Sequence, residues 1–357
     1  MKKSLIALAV AGAVAAPAAF AATSNVDIYG IFGASVDIFD RDNTQEDEFR
    51  VSSTASRIGF KGAEDLGGGL SAIWQVETGL DIDTSGGSWG SRNTFVGLSS
   101  KSLGTVRIGN YDTAYKMSSG RYDVFIDTMA DYNTIMGSVN SNNALFDRRE
   151  NNSISYESPE MSGLKLMGTY GQRNENGSTT LDPELWSLAA VYANGPLSVI
   201  AAYESQDDGT VAFSTTSDVA DATAWKLGAG YAFGNTRVAA IFERVKVDDF
   251  FGSDLERDAW YLSATHQMGN ITLKGAYANA GETEVSGFGD INDGADFWAI
   301  GVDYALSKRT TVYALYSSLD TDDNGSYRIG GNGTTGAFQS AFGGDPNGLS
   351  IGMKHSF

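Results

Sequence analysis

From residue 25 to the C-terminus the chain alternates apolar and polar side chains with period two, in segments of roughly ten residues. In the first segment Val26, Ile28, Gly30, Phe32, Ala34, Val36 and Ile38 share one face. Asp27, Tyr29, Ile31, Gly33, Ser35 and Asp37 share the other. Such a strand is wet on one side only. Strands of about 9–11 residues have the length of a tilted bilayer crossing. Sixteen such segments follow one another, starting near Asn25, Phe49, Leu70, Ser91, Thr105, Asn151, Leu164, Leu185, Leu197, Ala224, Thr236, Asp258, Ile271, Asp296, Arg309 and Gly348. An even number closes an antiparallel barrel, which leaves no unpaired edge.

The connections alternate short and long. Residues 64–69, 101–104, 158–163, 194–196, 234–235, 269–270 and 307–308 form short links of the Gly, Asn and Pro type that tight turns require. Residues 40–48, 83–90, 112–148, 173–184, 206–221, 246–256, 281–295 and 320–347 form long ones rich in Asp, Asn, Ser and Gly. Short turns at one rim and long loops at the other suit a membrane barrel. Pro159, Pro183, Pro196 and Pro346 all fall in connections, where no ladder hydrogen bond is lost. Trp186, Trp225, Trp260 and Trp298 open inward-running strands, and Tyr192, Phe233 and Tyr304 close them. Tyr203, Tyr277 and Tyr316 end outward-running ones. Aromatics at both strand ends predict two interfacial girdles. A soluble all-β protein would also bury one face of each strand, but it needs neither the girdles nor the alternation of loop lengths.

Met1, Lys2 and Lys3 precede an apolar run from Ser4 to Phe20, and Ala19-Phe20-Ala21 has the small-x-small form of a cleavage site. Residues 1–21 are therefore expected to be a secretory signal peptide and residues 22–357 a single barrel. The chain has no Cys, so an exported fold here relies on pairing rather than on disulfides. Its net charge of −19 becomes −21 once Lys2 and Lys3 leave with the signal peptide, which disfavours nucleic acid as a partner.

Several stretches resemble the general diffusion porins of Gram-negative bacteria, of the neisserial and enterobacterial types. They are NVDIYG at 25–30, SRIGFKGAEDLGGGLSAIWQVE at 56–77, RNTFVGL at 92–98, GTVRIGNYDTAY at 104–115, RENNSISYESPEMSGL at 149–164, SKRTTVYALY at 307–316 and the terminal IGMKHSF. The resemblance implies a homotrimer in the outer membrane, surrounded by lipid and lipopolysaccharide, through which ions and small hydrophilic solutes diffuse. It implies that the third long loop folds inward, although the Pro-Glu-Phe-Gly-Gly-type loop tip of the enterobacterial members is absent. It also implies that the terminal Phe357 is read by the barrel-assembly machinery. The alternative reading is a structural or adhesive barrel without a conducting pore.

Strand phase points Arg57, Arg92 and Arg149 into the lumen, Arg92 because it alternates with Phe95, and Lys61, Glu77 and Arg107 share lumen phases. Arginine keeps its charge and its fork is readily held by neighbours. The third long loop, 112–148, is 37 residues long. That is too long for an idle turn. Its Asp123, Asp127 and Asp131 recur every four residues, a spacing that suits one face of a helical turn. They are expected to face the arginines and to complete a charged constriction. The lumen arginines favour anions and the acidic whole favours cations. The sequence leans toward cations.

No cofactor or catalytic residue is indicated. The two histidines are His266 and His355, and Ser263, three residues from His266, falls on the opposite strand face. His/Cys metal spacing is absent. The loop carboxylates Asp248, Asp249, Asp254, Asp320, Asp322 and Asp323 are the candidate ligands for a calcium or magnesium bridge to lipopolysaccharide.

Overall fold

The computed structural model describes residues 25–40, 48–84, 86–138, 145–172, 183–213, 216–330, 338–339 and 342–357. The expected signal peptide lies outside the described residues. Sixteen wall strands run in chain order: β1 (Asn25–Asp40), β2 in two parts (Glu48–Ser53 and Arg57–Gly67), β3 (Leu70–Asp81), β4 (Thr94–Ser100), β5 (Gly104–Asp112), β6 (Arg149–Glu157), β7 (Leu164–Gln172), β8 (Glu184–Asn194), β9 (Leu197–Phe213), β10 (Thr216–Phe233), β11 (Thr236–Phe250), β12 (Ser253–Met268), β13 (Ile271–Ala280), β14 (Ala295–Ala305), β15 (Thr310–Thr321) and β16 (Asn347–Ser356). Each pairs antiparallel with the next. Ile31–Asp40 of β1 pair with Ser356–Asn347 of β16, so the sheet closes on itself.

The period-two pattern acts inside out. Ile28, Val96, Leu227, Ile300 and Ile351 are exposed on the outer wall, whereas Asp37, Ser187, Glu204 and Glu243 are buried inside. An outer wall of this kind is stable only against lipid, since each large apolar side chain left in water forgoes about 1.5–3 kcal/mol. The C-terminus completes the ring. Phe357 exchanges two backbone hydrogen bonds with Gly30, at 3.2 and 3.1 Å, and its ring contacts Phe32 at 5.4 Å. Gly30 is needed there because a Cβ would strike that ring.

Three expectations are corrected. Residues 206–221 and 246–256 are not free loops: β9–β10 and β11–β12 continue as paired ladders with a register shift in each. Asp-, Ser- and Gly-rich composition reads as loop, yet the strands go on pairing their backbones and bury Ala220, Val247, Phe250 and Leu255 on one face. Second, β2 is broken at residues 54–56, where Ala55 has φ of 48°, a left-handed conformation. Third, the wall is uneven. β4 has 7 residues and β5 to β7 have 9 each, against 17 and 18 in β9 and β10.

The outer-rim girdle is likewise one-sided. One aromatic per strand runs from β7 to β15: Tyr170, Trp186, Tyr203, Trp225, Phe242, Trp260, Tyr277, Trp298 and Tyr316. Neighbouring rings touch, with centroids 4.5 Å apart for Tyr170–Trp186 and 4.6 Å for Phe242–Trp260. By register the row is aliphatic from Tyr170 through Ile154, Ile108 and Val96 before it meets Trp74, and from Tyr316 through Leu349 and Ile38 before it meets Phe49.

Candidate functional site: a charged constriction beneath the third loop

The third loop enters the barrel as soon as β5 ends. Thr113 caps a short helix, α1 (Ala114–Ser119), by accepting the N–H of Lys116. The apolar residues that follow have no place in a water-exposed loop. Tyr115, Phe125, Met129, Ile135, Met136 and Phe146 are all fully buried. They pack against the inner wall, where polar bonds pin them. Lys226 donates to Asp147 and Ser119, both at 2.6 Å. Glu243 accepts from the Tyr115 hydroxyl at 2.7 Å and from the Gly137 N–H at 2.6 Å. Arg257 donates to the Ile135 carbonyl at 2.7 Å. The loop thus fills the lumen against β10–β12 and leaves the arginine side open.

There a cavity of about 610 Å³ is lined by Arg57, Arg92, Arg149, Asp127 and Asp131 together with Asp112, Lys116, Asp147, Arg148 and Arg328. Arg57 donates to Asp127 at 3.1 Å, and Lys354 stands 3.7 Å from the same carboxylate. Arg92 donates to Glu77 at 2.5 Å, and the other Glu77 oxygen accepts from the Tyr29 hydroxyl at 2.8 Å. Arg149 donates to Asn93 at 2.9 Å and lies 3.3 Å from Asp112.

Arg92 reaches the lumen for a different reason from the one its spacing suggests. Phe95 faces inward, edge-on to Tyr111 at 5.2 Å, and the outward residues are Val96 and Leu98. The β4 ladder starts only at Thr94, so Arg92 precedes it and turns inward, its N–H bonded to the Glu77 carbonyl. Arg107 pairs with Glu157 at 2.6 Å over the Tyr111 ring, beside a second cavity, and Lys61 is exposed above the Tyr29 ring.

The three aspartates do not share a helical face. Residues 120–131 form successive turns, and a single 3₁₀ turn follows at Tyr132–Thr134. The packing of the apolar loop residues overrides the four-residue spacing. Asp127, at φ of 60°, faces Arg57. Asp131 caps the 3₁₀ turn, accepting from Asn133 at 3.0 Å and from Asp127 at 3.2 Å. Burial pushes its carboxyl up to about 6. The Asn133 and Asp127 N–H groups oppose this and the Asp127 charge adds to it. Asp123 turns away from the arginines, accepts from the N–H of Phe125 and Tyr132, and lies by Tyr261 on the far wall. Lys116, Arg148 and Arg328 were not foreseen. Lys116 had a readable signal in its i, i+4 spacing from Asp112, 3.3 Å away in the fold. Arg328 had none.

The loop carboxylates do not gather for a divalent ion. Lys246 bonds to Asp248 and stands 3.9 Å from Asp254. Among the described residues no group of three or more metal-ligating side chains converges.

A closed sixteen-stranded barrel with an apolar exterior and a loop-narrowed charged lumen defines a membrane channel protein of the outer-membrane type. The chain belongs to the Gram-negative porin family, whose description matches residues 7–324. It is 30% identical to outer membrane porin protein 32 of Delftia acidovorans, over the whole of both chains. The fold matches an anion-selective porin from Comamonas acidovorans with a TM-score of 0.78, at 25% identity over 94% of this chain and all of that one. It also matches the trimer form of Vibrio cholerae OmpT with a TM-score of 0.72, at 19% identity over 94% of this chain and 99% of that one. This protein is an outer-membrane diffusion porin.

Proposed function

We propose that the channel is a homotrimer, acts without a catalytic step and passes small hydrophilic anions in preference to cations, its constriction formed by Arg57, Arg92 and Arg149 opposite Asp127 and Asp131. The lining of the cavity carries the reading: six cationic side chains against four anionic ones. Of those four, Asp147 is bonded to Lys226, and Asp131, whose carboxyl burial raises to about 6, gives up its charge below that pH. The acidic excess of the chain lies largely in loop and rim residues such as Asp248, Asp254, Asp320 and Asp322, away from the narrowest part. Selectivity is set where a solute must shed water beside fixed charge, so the local excess outweighs the total. The anion selectivity recorded for the Comamonas porin agrees.

The trimer reading rests on the low wall of β4 to β7 and on the aliphatic outer positions Val96, Ile108 and Ile154 of β4 to β6, a face suited to protein rather than to lipid headgroups. The girdled face of β7 to β15 meets lipid and lipopolysaccharide. Phe357 serves as the assembly signal for the barrel-assembly machinery, and residues 1–21 are removed on export.

Single-channel recording in a planar bilayer under a salt gradient tests the conduction reading. The expected reversal potential has the sign of an anion current, and insertions arrive in threes. A cation-signed potential would sink the selectivity assignment. A silent membrane with folded protein would leave a structural barrel. Arg57→Gln with Arg149→Gln should bring the potential toward zero.

A further inference from the structure

Behind the third loop, polar side chains gather on the inner face of β2, β1, β16 and β15. Register brings them together. Ser35 pairs with Ser52 across β1–β2 and with Gly352 across β1–β16, and Gly352 pairs with Tyr313. One rung along, Asp37 pairs with Ser350. Two glycines make the room. A Cβ on Gly352 would collide with the Tyr313 ring and hydroxyl, and one on Gly33 with the Thr54 hydroxyl. Tyr313 therefore lies across β16, with its hydroxyl in loose hydrogen-bonding range of Ser350, Ser35 and Thr54.

Asp37 is fully buried, and one of its oxygens accepts from Ser35 at 3.0 Å. The other oxygen, and the hydroxyls of Ser52, Thr54, Tyr313 and Ser350, are buried and none closes a hydrogen bond within 3.5 Å among the described residues, so Tyr313, Thr54 and Ser350 surround one another only loosely. Asp37 also makes no ion pair among the described residues. Arg50, its cross-strand neighbour, pairs with Glu48 at 2.5 Å, and Lys354 and Arg57 turn to Asp127. A buried carboxylate without a counter-charge is costly, and so is each unsatisfied buried hydroxyl. The donor set is all oxygen, which suits a hard cation. One carboxylate balances one positive charge, and hydroxyls can turn lone pairs to a cation while their protons point elsewhere.

We propose that this chamber binds a monovalent metal cation, sodium or potassium, with Asp37 as the charged ligand and Thr54, Tyr313 and Ser350 as neutral ones. The cation neutralises the wall behind the loop segment that holds Asp127, and the site lies outside the permeation path.

The test uses the intact detergent-extracted protein with rubidium as the probe. Crystals grown in rubidium nitrate should show an anomalous peak bonded to the free Asp37 oxygen, absent from Asp37→Asn. The midpoint of thermal unfolding should be higher in sodium, potassium or rubidium chloride than in N-methylglucamine chloride of equal ionic strength, because a ligand of the folded state alone stabilises it. That difference should vanish in Asp37→Asn and shrink in Ser350→Ala and Thr54→Val, which keep the carboxylate and carry the test if Asp37→Asn does not fold. A chamber that contains only water, or midpoints equal in all the monovalent salts, would overturn the proposal. A rise produced by calcium alone would overturn the monovalent assignment.

Discussion

Lys226 and Asp147 meet at 2.6 Å with 0% and 1% of their side chains exposed, one on the wall and one at the root of the loop. Removing one member of such a pair leaves an uncompensated charge and costs about 3–5 kcal/mol. Lys226→Met should lower stability by roughly that amount in urea unfolding from lipid vesicles and should make single-channel current noisier as the loop loosens. Asp147→Asn in the same chain should recover most of the loss. Asp131 sits on the other side of the loop. Its carboxyl, raised to about 6, is charged above that pH and neutral below it. Between about pH 7.5 and about pH 5 the lining then loses one negative charge, and the anion preference should grow, as read by reversal potential. Asp131→Asn should show the low-pH preference throughout. Neither behaviour was legible from the sequence. Asp131 looks there like the last member of an acidic repeat, and only the packing of Phe125, Met129 and Ile135 turns Asp123 to one wall and Asp127 to the other.

The loop and the long hairpins contribute in different ways at the level of elements. The third loop is bonded to β10, β11 and β12 through Lys226, Glu243 and Arg257, so its removal alters the lumen but leaves the wall ladder whole. Deletion of residues 120–137, bridged by glycine and serine, should raise conductance and weaken selectivity in the same bilayer measurement, with β-sheet circular dichroism retained. The ladder of β9–β10 beyond Gln206 pairs only with itself, ending at Phe213 and Thr216. Trimming residues 209–220 to a tight turn should leave both the unfolding temperature and the conductance unchanged. The ladder's length escaped sequence reading because Asp, Ser, Thr and Gly in these segments are as common in turns as at the ends of paired strands.

The uneven wall is a property of the whole molecule. The short strands β4 to β7, with 7 to 9 residues each, contrast with β9 to β12, which have 15 to 18 and carry Tyr203, Trp225, Phe242 and Trp260 on their outer face. Trp89, 74% exposed, projects on the low side near Phe60, where a neighbouring subunit would cover it. The absence of cysteine makes this face simple to map. In single-cysteine proteins reconstituted in vesicles, a lipid-soluble maleimide should label Leu227→Cys and spare Val96→Cys. Equal labelling of the two would count against the trimer face.

The sequence alone determined the barrel, its sixteen strands, its closure and the lumen phase of Arg57. These follow from a period-two pattern and from turn chemistry, which are local and repeat along the chain. Arg149, by contrast, reaches the cavity across a bulge in β6 at which the simple alternation breaks. The tertiary structure decided the partners of the charges. Which aspartate meets which arginine and how Arg92 turns inward before β4 depend on side chains 15 to 70 residues apart, and Arg328 arrives from a loop still farther along the chain. They are brought together when the sheet closes and a loop is pressed inside it. Net charge is a sum over the chain, whereas selectivity depends on the few charges that share the narrowest space, so the sum leaned toward cations and the cavity favours anions.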